Sequence, residues 1–278
     1  MLTIKKLLKE YEIVKLLKES TDNKAFVLLL KKNEKQYVAK FIHVEKIEHK
    51  LMKKINSTEV QAYKFIEKYF RNYPFFPKFC TDIFHSHVEG LVIEYVKGEQ
   101  LYTFKKKDMP EIWWRSLILQ LVIVSYLFES HKILHNDFWD ANIIISDEPI
   151  KNIIPLPELP FDIQVPNAGF VIKVIDFEFA NQYNENPEIT SPMVLSTDKR
   201  DKEEKSRLGW SSKWHTGSDL NQILGILAEY KSIPIRFKEY ILNNVNTKEG
   251  SFKYATKLPN IAFNPKFLLM NFDQLFIK

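Results

Sequence analysis

Glycine is scarce in this chain: there are seven in 278 residues, and the first is Gly90. No loop in the first third can use the free left-handed backbone that lets glycine-rich turns approach a phosphate closely. Cysteine is scarcer still. Cys80 stands alone, which excludes an internal disulfide and leads us to expect a reducing, cytoplasmic setting. No apolar run approaches the roughly 20 residues that span a bilayer, so no membrane span is expected; the longest, residues 117–128, reads as a buried helix. The apolar N-terminus is broken by Lys5, Lys6 and Lys9 and shows no secretory pattern. There is no internal repeat.

What is present suits a sizeable core, with 45% hydrophobic and 14% aromatic residues. The net charge of +5 is uneven: residues 1–54 hold fourteen Lys against seven acids, a surplus of seven, and the remainder is net −2. Arginine, the better fork for phosphate, is absent from that basic stretch, so it reads as a solvated face and nucleic acid is not an expected partner.

The most informative stretch is HKILHNDFWDAN at 131–142, between a long apolar helical pattern (110–131) and the apolar run at 143–145. An acid and an amide five apart on a helix-to-strand loop can divide two tasks. Asp137 can orient or accept the proton of an attacking hydroxyl, while Asn142 offers an amide oxygen to a hard divalent cation. A second apolar run, 170–175, ends at Asp176 in VIDFEFA, which brings another carboxylate to a strand end. Upstream, residues 11–17, 25–30 and 36–42 read as strands, the last holding Val38-Ala39-Lys40. Residues 2–10 read as a short leading helix. In Asn56-Ser57-Thr58-Glu59 a hydroxyl precedes a helical pattern as an N-cap would. Residues 79–84 and 91–96 read as strands about a turn at 85–90, and Ser218-Asp219-Leu220 opens an apolar helix to residue 230.

HxDxxxxN followed by IDFxxA resembles the catalytic core of the protein-kinase-like superfamily. The resemblance implies an α+β, bilobal fold, with a small antiparallel sheet and one helix over 1–96 and a trimmed, mainly helical lobe over 97–278. It implies ATP and Mg²⁺ (or Mn²⁺) as cofactors, and a serine or threonine hydroxyl of an unidentified protein as acceptor. Lys40, held by Glu59 (or more weakly by Glu67), would contact phosphates, Asn142 and Asp176 would hold the metal, and Asp137 would orient the hydroxyl. LVIEYVKG is similar to the interlobe hinge, with Ile93 as gatekeeper and Glu94 to Val96 offering backbone to adenine. The proline-bearing link 147–169 is similar to haspin-type kinases and the divergent serine/threonine kinases of large DNA viruses; its plainer reading is a proline-stiffened surface excursion with no active role. On the viral resemblance the location would be host cytoplasm or virion. A monomer is expected.

Several positions depart from the family pattern. The phosphate lid, 18–24, has no glycine. Asn136 stands where an arginine usually precedes the catalytic aspartate, so a phosphorylated activation segment would lack its charged clamp, although Thr190, Ser191, Ser196, Thr197 and Ser206 offer acceptors. Trp139 replaces a lysine, and Glu178 replaces the glycine after Asp176-Phe177. HND with IDFE is similar to choline and aminoglycoside kinases, giving a small-molecule kinase as a second reading. A non-catalytic binding scaffold is the third.

Overall fold

The computed structural model describes residues 7–276, apart from residue 8 and segments 20–24, 44–49, 86–87, 151–152, 157, 196–212, 246, 249–250 and 256–260. Of the expected leading helix, residues 7, 9 and 10 are described and are helical; residues 2–6 and 8 lie outside. Most of the glycine-free lid also lies outside, as does the charge run at 198–207.

Three apolar segments form strands β1 (Glu12–Glu19), β2 (Ala25–Lys32) and β3 (Lys35–His43), followed by helix α1 (Lys50–Tyr69) and strands β4 (Phe79–His85) and β5 (Val88–Glu94). They build one antiparallel sheet in the order β1-β2-β3-β5-β4. Leu30, Ala39, Ile83, Val88 and Val92 pack together on one face of it with Leu7. Leu91 and Ile93 point to the other face and join the main core.

Residues 85–90 were expected as a turn, yet Val88 to Gly90 belong to β5, with Gly90 paired to both Phe41 and Ile83. The glycine serves a close approach: a Cβ there would lie 2.2 Å from the Lys40 carbonyl oxygen. Helix α1 starts at Lys50, so Thr58 is an interior residue and not a cap. Its hydroxyl instead donates to the Thr190 carbonyl at 2.7 Å, a partner 132 residues away that no local pattern shows.

After the short β6 (Gly98–Gln100) comes helix α2 (Glu111–Ser130), buried from Trp113 to Phe128 almost without interruption. It delivers the chain to β7 (Ile133–Leu134) and then β8 (Ile143–Ser146). The link beyond β8 is not a surface excursion. Strands β9 (Ile153–Ile154) and β10 (Ile163–Gln164) pair within it, and Ile150, Ile154, Leu156, Ile163 and Val165 are buried in the main core. Strand β11 (Val171–Val174) returns antiparallel to β8, and β12 (Asn181–Gln182) pairs with β7. Helices α3 (Pro192–Leu195), α4 (Ser218–Leu227) and α5 (Ile235–Asn244), the hairpin β13 (Thr247–Lys248) and β14 (Ser251–Ala255), and α6 (Pro265–Phe276) complete the chain.

Candidate active site

One antiparallel pairing and one buried carboxylate place the loop residues. Because β8 and β11 are in register from Ile143↔Val174 to Ser146↔Val171, the residues just before β8 and just after β11 emerge side by side. Ile175 N donates to Asn142 O at 3.0 Å, so Asn142 and Asp176 flank one edge. The buried Asp219 of α4 fixes the other side of the loop: its Oδ2 accepts from His135 N at 2.6 Å and its Oδ1 from Asn136 N at 3.2 Å. Asp137 N donates to His135 Nδ1 at 3.3 Å, which makes Nδ1 the unprotonated ring nitrogen and lets Nε2–H donate to Ile175 O at 3.0 Å. Both neighbours of the loop thus orient it through backbone.

On that loop Asn142 Nδ2 donates to Asp137 Oδ2 at 2.7 Å and to Asp137 O at 2.9 Å. The amide's donors are spent on Asp137, leaving its oxygen for a cation. Above, Lys40 Nζ lies 2.6 Å from Asp176 Oδ1, 2.9 Å from Glu59 Oε2 and 3.7 Å from Glu178 Oε2. Glu59 is only 3% exposed and sits mid-helix in α1, away from the helix end. Glu67, two turns further on, lines a separate groove behind the hinge. A cavity of about 280 Å³ lies between the sheet and the β8–β11 hairpin, lined by Val27, Val38, Ile93, Glu94, Val96, Ile144 and Ile175, with Lys40, Glu59 and Asp176 at its inner end. Of the hinge amides, Tyr95 N is already used by Gln36 O at 3.2 Å on the sheet side, and Glu94 N by Lys78 O at 2.9 Å.

The protein kinase domain pattern matches residues 9–198, over half of the chain and all of these side chains except Asp219. The chain belongs to the protein kinase domain family. Its fold is α+β and kinase-like, with an antiparallel sheet in the N-terminal part and helices in the later part. Among solved structures the domain is similar to the Cydia pomonella granulovirus kinase PK-1, at 22% identity and a TM-score of 0.46, over 65% of this chain and 56% of that one. It is also similar to titin kinase with its flanking domains, at 14% identity and a TM-score of 0.57, over 95% of this chain and 47% of that one. The kinase domain therefore spans about half the length of the solved chains it matches. No curated protein matches it.

Three further groups of this kinase domain reach the site. Glu178 turns its carboxylate inward, where the family pattern has no side chain at all, and feels both Asp176 and Asp137. Tyr63, one helical turn after Glu59, is fully buried with its ring edge-on to Phe177 at 5.2 Å and lines the same cavity. Lys18, at the end of β1, lines it from above and acts on Asp176 and Glu178. The i to i+4 step from Glu59 was the available signal for Tyr63; the direction of Glu178 had none.

Burial works against the Lys40 ammonium, but Glu59, Asp176 and Glu178 together hold it well above the usual lysine range. Burial also works to raise Asp176, and there Lys40 prevails, keeping the carboxyl below its ordinary value. Glu59 and Glu178 are both pushed up, chiefly by burial against the opposing pull of Lys40. Of the three acids around Lys40, Asp176 is the one held below its ordinary value, and it sits in the left-handed region at φ +66°, a conformation aspartate tolerates at some cost.

Proposed function

We propose that the chain is an ATP-dependent phosphotransferase acting on serine or threonine hydroxyls of proteins, with Mg²⁺ or Mn²⁺ as the metal. The observation that carries this reading is Lys40 held between Glu59 and Asp176, at 2.9 and 2.6 Å, over an Asp137–Asn142 pair at 2.7 Å. Phosphoryl transfer asks a protein for positioning and charge neutralisation more than for covalent chemistry. The donors fit a hard cation, since an amide oxygen and an ionised carboxylate emerge side by side. Asn142 and Asp176 would hold it, and the metal would supply neutralisation of charge on the transferring group.

The remaining work falls to this chain's own residues. Lys40 offers its ammonium to phosphate oxygens while Glu59 keeps it aimed at the cavity. Asp137, bonded through one carboxylate oxygen to Asn142, would orient an acceptor hydroxyl and receive its proton. Val38, Ile93, Ile144 and Ile175 make apolar walls suited to a flat base.

One observation favours a second reading. Glu178 adds a carboxylate beside Asp137 and Asp176, and such a site would also suit an amine-bearing small acceptor. Radiolabelled ATP with Mg²⁺, offered in parallel to generic protein substrates, choline and aminoglycosides, tests both. Label entering serine or threonine of protein is expected. Label entering only the amines' hydroxyls would replace the first reading with the second, and no transfer to anything would leave a non-catalytic scaffold.

A further inference from the structure

Helix α1 carries two neighbouring stripes. Glu59, Tyr63 and Ile66, at steps of four and three, face the cleft and core, and Phe70, just past the helix end, continues the line. Thr58, Gln61, Phe65 and Lys68, at steps of three, four and three, run beside them. That second stripe is bonded to residues 188–190 of the segment following Asp176. Thr58, itself fully buried, donates its hydroxyl to Thr190 O at 2.7 Å, and Gln61 Oε1 accepts from Thr190 N at 3.2 Å. Two turns on from Gln61, Lys68 Nζ at 3.0 Å and the Tyr69 hydroxyl at 2.9 Å both reach the Glu188 carboxylate.

The far side of the segment is tied down as well. Gln182 Oε1 accepts from Glu188 N at 2.7 Å and Asn181 Oδ1 from Ser191 N at 3.0 Å. Asn136, where a charged clamp would start, donates to Phe179 O at 2.9 Å and also bonds the Tyr183 hydroxyl. The Ser191 hydroxyl is fully buried and faces Val194 N at 3.4 Å, so it is not the acceptor for modification that its sequence position suggests.

We propose that Thr58 and Gln61 are positioning residues: by holding both backbone groups of Thr190 they set helix α1 so that Glu59 meets Lys40, with no phosphate on the segment. Thr58 and Glu59 are adjacent, so a rotation of α1 that withdrew Glu59 would break the Thr190 bonds in the same movement. The Lys68–Glu188 pair is half exposed and contributes little by itself. The buried Thr58 bond is the stronger constraint, because an unmade bond there strands the Thr190 carbonyl. Each bond is between neutral groups or uses a carboxylate already in the chain, so the arrangement is complete as synthesised.

This rests on the kinase reading, and the test separates the two. Three proteins are compared: wild type, Thr58→Val with Gln61→Leu, and Thr58→Ser. In hydrogen exchange, the double variant should lose protection at Thr190 and around Glu59 together, whereas Thr58→Ser should keep both. Mg²⁺-nucleotide affinity and kcat should each fall about tenfold in the double variant and recover in Thr58→Ser, while phosphatase treatment of wild type, verified by mass, should leave the rate unchanged. Deprotection confined to Thr190, with exchange around Glu59 as in wild type, would overturn the proposal, as would loss of wild-type rate on dephosphorylation. A wild type that transfers nothing would sink the kinase reading alone, since the exchange comparison still decides whether Thr58 and Gln61 position Glu59.

Discussion

Lys40 has three carboxylates around it, and they differ in what they leave behind if the ammonium is removed. Asp176 and Glu178 keep about a third of their side-chain surface in solvent, whereas Glu59 has almost none. Lys40→Met should therefore abolish transfer, by at least about a hundredfold, and also lower stability by roughly 3 kcal/mol, because a buried charge loses its partner. Adding Glu59→Gln should restore most of the lost melting temperature and none of the activity. A single variant with full activity would return the role to Lys31, Lys32 or Lys35. Asp176→Asn tests the metal. Asparagine tolerates the left-handed backbone at this position, so the fold should survive. Wild type should bind nucleotide more weakly in chelator than in Mg²⁺, and the variant should show no such difference. Equal wild-type binding with and without metal would favour the scaffold reading. Lys40 was legible as a lone charge inside the apolar strand segment 38–42, and Asp176 as the polar residue at which the apolar run 170–175 stops. Glu178 was visible only as a departure from a pattern, since nothing in the letters says whether a side chain after Phe177 turns in or out.

Two acids of different character tie helix α4 to its surroundings, Asp219 to the catalytic loop and Glu129 to the end of α2. Asp219 accepts from two buried backbone N–H groups, so Asp219→Ala should cost about 3 kcal/mol and lower the melting temperature by roughly 5–10 °C. Asp219→Asn, which keeps an acceptor, should cost less. A melting temperature within a degree of wild type would mean the loop holds its shape without the helix. Glu129, at the end of α2, accepts from Thr216 Oγ1 at 2.6 Å and from Gly217 N at the start of α4. Burial raises its pKa from 4.5 to about 7 against those two bonds, with Asp219 adding to the rise. The folded state therefore binds the proton more tightly than the unfolded one. Glu129 supports stability below about pH 4.5, and that support is lost as pH rises through about 7. Glu129→Gln should remove this dependence, making the variant more stable relative to wild type at pH 8 than at pH 5 by about 2 kcal/mol. Parallel melting curves across that range would contradict the assignment. Elements with a long apolar pattern, such as α2, were readable to within a residue. The start of α1 was not, because Ser57 and Thr58 look like a cap, whereas the Thr58 hydroxyl bonds a distant segment. Gly90 misled for a similar reason, its small size being used against the neighbouring strand.

At the scale of the whole molecule, helix α2 has the length and composition of a membrane span, yet 83% of its apolar window is buried inside this fold. Phe70, Phe76 and Phe104 cover part of it from earlier in the chain, but β7, β11, α4 and α6, which also pack on it, are all later. This has a consequence for biosynthesis. At about 5–20 residues per second, a ribosome needs roughly 7–30 s to go from the end of α2 to the end of α6. For that interval a 20-residue apolar rod is outside the tunnel with only part of its cover. The nascent chain would be a client for factors that shield or sort hydrophobic segments, although the finished protein offers them no such helix. A chain stopped after residue 264 should remain bound to chaperones or partition with membranes in a cell-free translation, while the chain through α6 is released. If both are released equally, β7, β11 and α4 suffice to hide α2, and the last helix has another purpose.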